Sequence, residues 1–257
     1  MASENRFGFE WQKYSQMEEN YELQFQRWVF PLRPEDFKDK AVLDAGCGMG
    51  RNSWWALKWG ARSVIAFDYD QRSVEAARHN LKEFSNAQVF FKSIYDIDWR
   101  GQFDLVFSIG VIHHLKDPKA AIKNLVNALK LGGQLLLWVY SFEGNEWLVR
   151  FIDPIRRRLT SRLPVRLVYF LSYFLSVPLW LFVKTFKGPT PYLKQLAAFK
   201  FWHIHSIVFD QLIPEVANYW TRSQVADLME GVGLGQVRIY RPENDCGWTV
   251  IGVKEKV

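Results

Sequence analysis

From residue 41 to residue 140, short apolar runs alternate with stretches whose apolar residues recur every three or four positions. Ala41-Val42-Leu43 reads as a strand that opens into a glycine-rich turn, followed by a helical stretch from Arg51 to Trp59 and a second strand over Ser63-Val64-Ile65-Ala66-Phe67. Val74, Ala77, Leu81 and Phe84 put one apolar stripe on a helix running from Ser73 to Phe84. Val89-Phe90-Phe91 and the run Phe103 to Ser108 then read as strands. Pro118 opens the next helix, where its missing N–H costs nothing; Gly132-Gly133 is expected to close it before a strand from Gln134 to Tyr140. Strand-helix repeats of this length need crossover connections, so the expected fold is α/β: a Rossmann-like, seven-stranded, mostly parallel sheet with helices on both faces. Ligands belong at the carboxyl ends of such strands.

The pattern stops near residue 143 and resumes near 212. Thr221, Arg222 and Ser223 lead into a helix through Glu230, Gly231 and Gly233 end it, and strands over Val237–Arg241 and Trp248–Val253 can pair as a hairpin on a sheet edge. Four segments follow: 1–40, an N-terminal helical lid; 41–142, the core; 143–212, a helical insertion; and 213–257, the rest of the sheet. With 257 residues, of which 49% are hydrophobic, the chain can bury a substantial core. Its two cysteines, Cys47 and Cys246, are too few for a disulfide framework or a thiolate metal site, so no metal is expected. The N-terminus is charged and lacks the apolar stretch of a secretory signal, which points to the cytoplasm.

Charge changes the picture of the insertion. The whole chain carries a formal +6, but between Arg150 and Lys200 ten bases stand against one acid, Asp153. The same segment contains the uncharged run Leu167 to Val183, interrupted by Pro178 and flanked by Arg166 and Lys184. As a helix it spans roughly 26 Å, somewhat less than the ~30 Å of a bilayer core. Peripheral contact of residues 150–200 with an anionic membrane is one expectation; internal or homodimeric packing as an acceptor lid is the other. Binding of nucleic acid by the basic stretch is a third reading and ranks last, because the aromatics are embedded in the apolar run and not interleaved with the bases.

The first strand runs into Asp44-Ala45-Gly46-Cys47-Gly48-Met49-Gly50, where glycines let backbone N–H groups approach a ligand, and Asp68 ends the second strand. The elements VLDAGCGMG, VIAFDYD, FDLVFSIGVIHHLKDP and LKLGGQLLLWVY stand in order over residues 40–140 and resemble the class I S-adenosylmethionine-dependent methyltransferases. The resemblance implies S-adenosylmethionine as cofactor. It implies that Gly46, Cys47, Gly48 and Gly50 line the methionine moiety, with Asp44 orienting the loop, and that Ile109 and Gly110 take the methionine end. Asp68 would hold the ribose hydroxyls and Tyr69 flank the adenine; Ile94, Tyr95 and Asp96 would face the adenine edge. The acid that many members carry directly after the third strand is replaced here by Ile94 or Tyr95, with Asp96 coming later. Trp11 and Tyr14 of the aromatic N-terminal segment are candidates for closing the cofactor pocket.

Methyl transfer to a hydroxyl or ammonium needs orientation and a base. His113 and His114 follow the fourth strand, and His205 and Asp210 follow the insertion; these four are the catalytic candidates. No Asn/Asp-Pro-Pro-Tyr sequence follows the fourth strand and no Pro-Cys is present, which disfavours exocyclic-amine and cytosine C5 chemistry. The expected activity is therefore methyl transfer to O or N of a small molecule, lipid-like or lipid-linked. A soluble sugar or metabolite acceptor, and a cofactor-binding subunit without turnover, are the alternatives.

Overall fold

The computed structural model describes residues 4–18, 21–186, 191–241 and 246–256, which leaves Lys187 of the basic stretch outside the described residues. Seven strands form one sheet: β1 (Ala41–Ala45), β2 (Ser63–Asp68), β3 (Ala87–Phe91), β4 (Phe103–Ile109), β5 (Leu129–Tyr140), β6 (Leu234–Tyr240) and β7 (Gly247–Lys254). They lie in the order β3-β2-β1-β4-β5-β7-β6. The first five are parallel, while β7 pairs antiparallel with both β5 and β6. Reversal between β1 and β4 makes the switch point at which such sheets open a crevice for ligands.

Helices α3 (Arg51–Lys58), α4 (Gln71–Leu81) and α5 (Pro118–Ala128) make the crossovers, and α11 (Arg222–Met229) precedes the last hairpin. Their starts are set by local chemistry: Asp70 accepts from the Arg72 N–H, Asp117 from the Ala120 N–H, and Thr221 with Gln224 forms a capping box. The helix from Pro118 ends earlier than the glycines suggest. Leu129 turns extended and buried beside Phe103, so Gly132 and Gly133 fall inside β5, next to a register irregularity against β4.

α1 (Glu4–Lys13) and α2 (Tyr21–Val29) precede the sheet. The insertion forms α6 (Asp153–Ile155) between π-helical turns Leu148–Ile152 and Arg156–Thr160, then α7 (Val165–Leu171), α8 (Tyr173–Phe186), α9 (Pro191–Ala198) and α10 (Phe201–Leu212). Arg6 joins these two parts by donating to the carbonyls of Thr160, Ser161 and Leu163 at 2.6, 2.9 and 2.8 Å. Phe9 and Tyr14 of the N-terminal part pack with Val168, Phe209 and Leu212 of the insertion.

Phe25 seats α2 on the sheet: it is fully buried, with ring centroids 4.8 Å from Trp59 and 5.6 Å from Phe107. Replacing Phe25 with Ala is expected to cost about 3–5 kcal/mol of stability, read as a lower urea midpoint with an unchanged slope. A loss below about 1 kcal/mol would mean that α2 is not held by this contact.

Candidate active site

The turn after β1 is shaped by what its glycines touch. Gly46 has φ +79°, and a Cβ there would lie 2.4 Å from the Val111 side chain; at Gly48, φ +53°, a Cβ would meet the Trp11 indole at 2.9 Å. Both positions therefore exclude side chains by conformation and by space. Phe67 O receives the Gly46 and Cys47 N–H groups at 2.9 and 3.0 Å, and Asp68 accepts the Gly48 N–H at 2.9 Å. The β1 turn is thus bound to the end of β2.

Beside it opens a cavity of about 260 Å³ whose walls include Trp11, Gly46, Asp68, Tyr69, Ile94, Tyr95, Ile109, Gly110, His114 and Asp210. Among them are residues expected at both ends of the cofactor, together with the lid candidate Trp11 and the catalytic candidates His114 and Asp210. Asp68 also accepts the Asp70 N–H at 3.0 Å, and its carboxyl is pushed up to about 6 by burial, against the pull of the Gly48 and Asp70 N–H groups. No lysine or arginine is bonded to it among the described residues, so its oxygens suit hydroxyl donors such as a ribose. Tyr69 stacks on Phe91 with ring centroids 5.6 Å apart, and stands as a flat wall at this end.

Other expected residues support the cavity without lining it. Asp44 is buried below the turn, accepts from Ser53 Oγ at 2.6 Å, and is pushed up to about 7 by that burial. Cys47 is buried, with its thiol pushed up by burial and by Asp44. Gly50 packs on Ala77, and Asp96 is exposed away from the cavity, so the edge past β3 is built by Lys92, Ser93, Ile94 and Tyr95. Tyr14 hydrogen-bonds His205 Nδ1 and stands on a neighbouring cavity. Phe7, Val111, Glu215 and Val216 line the same cavity too; Phe7 belongs to the aromatic N-terminal run, whereas nothing in the spacing of Glu215 and Val216 marks them.

The four catalytic candidates separate clearly. His113 is fully buried, accepts the Tyr140 N–H on Nδ1 at 3.3 Å, and stacks on Tyr140 with centroids 3.8 Å apart; burial and then His114 hold it far below the usual histidine range. It is a wedge under β5. His205 is buried against Tyr169 and Tyr173, and burial lowers it to about 4. Asp210 stands on the wall of the cavity and accepts from the Tyr140 hydroxyl at 2.8 Å. His114 lines the cavity, and its Nδ1–H donates to Val216 O at 2.7 Å, which fixes Nε2 as the lone-pair nitrogen. Burial lowers His114 to about 4, so it is neutral at physiological pH and able to take a proton.

Residues 42–133 match the family described as Methyltransferase domain. The chain is 34% identical over 128 residues to the tRNA U34 carboxymethyltransferase of Actinobacillus succinogenes, covering 49% of this chain and 39% of that protein. With the protein of the same name from Vibrio cholerae it shares 33% over 147 residues, 56% of this chain and 44% of that one. It therefore spans about two fifths of the length of these relatives. In fold it is similar to human N-acetylserotonin methyltransferase in complex with S-adenosylmethionine, at TM-score 0.58, 12% identity and coverage of 99% and 57%. It is also similar to the magnesium protoporphyrin IX methyltransferase of Synechocystis with bound S-adenosylhomocysteine, at TM-score 0.52, 14% identity and coverage of 85% and 76%.

The relatives' name corrects two expectations, that of a small-molecule acceptor and the last rank given to nucleic acid as a partner. Both rested on the insertion, whereas the ordered motifs describe the cofactor half, which is compatible with many acceptors.

If Asp68 carries the ribose hydroxyls, its carboxylate is the binding form. Because its folded value is raised to about 6, affinity for S-adenosylhomocysteine is expected to fall as pH drops through that value and to level off above it. Titration calorimetry from pH 5 to 8 checks this; Asp68→Asn should flatten the profile, and a flat profile in the wild type would remove Asp68 from ribose binding. Residues 42–133 carry the match to the methyltransferase-domain family, in a fold shared with S-adenosylmethionine-dependent methyltransferases, and the Gly46 turn and Asp68, which one cavity joins, both lie within that match.

Proposed function

We infer that the chain transfers the sulfonium-bound group of its cofactor to a nucleotide of tRNA. The observation that carries the reading is the similarity to proteins named for tRNA U34 carboxymethyl transfer, supported by a cavity whose walls include His114 and Asp210 beside Ile109 and Gly110. The cofactor supplies an electrophilic carbon on sulfur. The chain's own part is to hold that carbon in line with the acceptor and to take the acceptor's proton. His114 suits the second task by geometry, because Val216 O holds its tautomer and leaves the lone pair on Nε2, although burial makes it a weak base in the free protein. Asp210, bonded to the Tyr140 hydroxyl and the Gln211 amide, suits positioning of a donor on the acceptor.

The test incubates the full chain with unmodified tRNA and either S-adenosylmethionine or its carboxymethyl-bearing counterpart, followed by mass spectrometry of the nucleosides. A mass gain in one nucleoside supports the reading, and none with either donor removes it. His114→Gln is expected to lower turnover by about 10²–10⁴-fold with cofactor affinity nearly intact. Unchanged turnover would take His114 out of the mechanism.

A tRNA acceptor agrees with the cytoplasm as the site of reaction; peripheral attachment to a lipid surface is the finer form of the same reading. Val168, Ser172, Ser176 and Val183 of α7 and α8 are fully buried, while Phe170, Phe174 and Phe186 are 64%, 77% and 68% exposed. On the helical stretch before them, Trp147, Phe151, Ile155 and Leu159 form a second exposed stripe, four residues apart. Exposed Arg150, Arg158, Arg162 and Arg166 accompany these stripes, and anionic headgroups complement them. Val165–Phe186 is 22 residues long and apolar enough to cross a membrane, yet one face of it packs against α9 and α10, which favours lying in the interface. The chain should co-sediment with phosphatidylglycerol vesicles, less so at 0.5 M salt, and Phe170→Asp with Phe174→Asp should abolish it. Absence of sedimentation at low salt would leave the enzyme unattached.

A further inference from the structure

A second cavity, of about 190 Å³, lies on the other side of Trp11 from the cofactor cavity; both are bounded by Trp11, Ile109, Gly110 and Asp210. A molecule held in it therefore lies beside the methionine end of the cofactor. Its walls are flat and aromatic. Trp28 and Trp138 stand with ring centroids 5.4 Å apart, and Tyr140 lies 5.6 Å from Trp138. Tyr140 cannot swing away, since it is stacked between His113 and Tyr219 at 3.8 and 5.3 Å and bonded to Asp210. Arg51, 4.9 Å from Trp28 and 5.2 Å from Trp11, braces the two indoles from one side.

Polar side chains make up about half of the lining, Glu10, Arg27 and Asp210 among them. Glu10 is 1% exposed; its Oε1 accepts from Ser206 Oγ at 3.0 Å, and its Oε2 is buried without a partner. Burial, and then the neighbouring Asp210, push Glu10 well above the usual carboxyl range, while Asp210, also raised by burial, is held down by its bond from the Tyr140 hydroxyl, so Glu10 is the one of the pair to carry a proton. Asp210 offers an acceptor on the same wall. A donor beside an acceptor matches a nucleobase edge on which a carbonyl or ring nitrogen adjoins an N–H. Arg27 is exposed on the rim, where a phosphate can reach it.

We propose that this second cavity receives a single pyrimidine nucleotide turned out of an RNA strand, its ring against the Trp28 and Trp138 indoles, with Tyr140 as a fixed edge, and its phosphate at Arg27. The proposal rests on the RNA-acceptor reading and adds the residues that bind the acceptor. A six-membered ring suits a volume smaller than that of the cofactor cavity, and stacking on aromatic side chains is the usual way in which unpaired bases are held.

The test titrates the full chain, saturated with S-adenosylhomocysteine, with UMP, CMP and AMP, and measures group transfer to tRNA with the same proteins. A pyrimidine mononucleotide is expected to bind more tightly than AMP. Trp28→Ala should weaken it roughly tenfold, and Arg27→Ala should weaken it in a salt-dependent way. Glu10→Leu should weaken it too, with Glu10→Gln, which keeps a donor, retaining affinity. S-adenosylhomocysteine affinity should hold in all four variants, which also reports that they fold. Equal UMP affinity in wild type and Trp28→Ala would overturn the proposal. So would a loss of S-adenosylhomocysteine affinity in the variants, because the cavity would then hold the methionine end of the cofactor. If tRNA is modified equally by wild type and variants, the RNA reading stands and this cavity is not its acceptor site. If pyrimidine binding follows the expected pattern and no tRNA is modified, the RNA reading falls and with it the strand in this proposal.

Discussion

One hydrogen bond holds the two halves of the cofactor site together: the Gly48 N–H donates to the Asp68 carboxylate at 2.9 Å. It ties the turn after β1 to the end of β2, and Phe67 O reinforces it by accepting two more N–H groups of the same turn. The arrangement requires Gly48 in a left-handed conformation with the Trp11 indole where a side chain would stand. A buried carboxylate bonded only to backbone N–H groups keeps oxygen lone pairs in reserve, and that reserve is what a ribose can use.

The rest of the site is closed by parts far apart in sequence. α1 carries Phe7, Glu10 and Trp11 over the strand ends, and Arg6 fastens it to the insertion through three carbonyls. From the other side, α10 brings His205 to Tyr14, Ser206 to Glu10 and Asp210 to Tyr140. The buried pair of Arg156 with Asp153 extends the same network, since Arg156 donates to Tyr219 and Tyr219 to Gln211. Burying a charged arginine is costly unless it is paired, so this chain of contacts fixes the insertion against β5 in one arrangement. The cavity walls thus depend on an element that the sheet itself does not supply.

Much of this was legible in the sequence because it follows period and order. Apolar runs mark all seven strands, the first four to within about two residues and β5 and β6 with late starts, and the turn Asp44–Gly50 with Asp68 lies at the cavity proposed for the cofactor. The glycine pair after α5 misled, because Leu129 has a buried place beside Phe103 that holds it extended, and no local pattern reports a partner 26 residues away. His113 and His114 are neighbours of one type, yet one is a buried wedge and the other borders the cavity; only the fold, through Tyr140 and Val216, separates them. Glu10, Glu215 and Val216 reach the cavities through tertiary packing alone. The acceptor is not legible for a related reason: the motifs describe what the cofactor touches, and the insertion's apolar run carries no signature of the acceptor.

The most direct measurement is a crystal structure of the chain with S-adenosylhomocysteine. The account predicts ribose hydroxyls on Asp68, adenine beside Tyr69 and Ile94, and the homocysteine sulfur near Ile109 and Gly110, with Trp11 still against Gly48. A nucleoside bound elsewhere on the sheet, or an Asp68 carboxylate facing no hydroxyl, would contradict it.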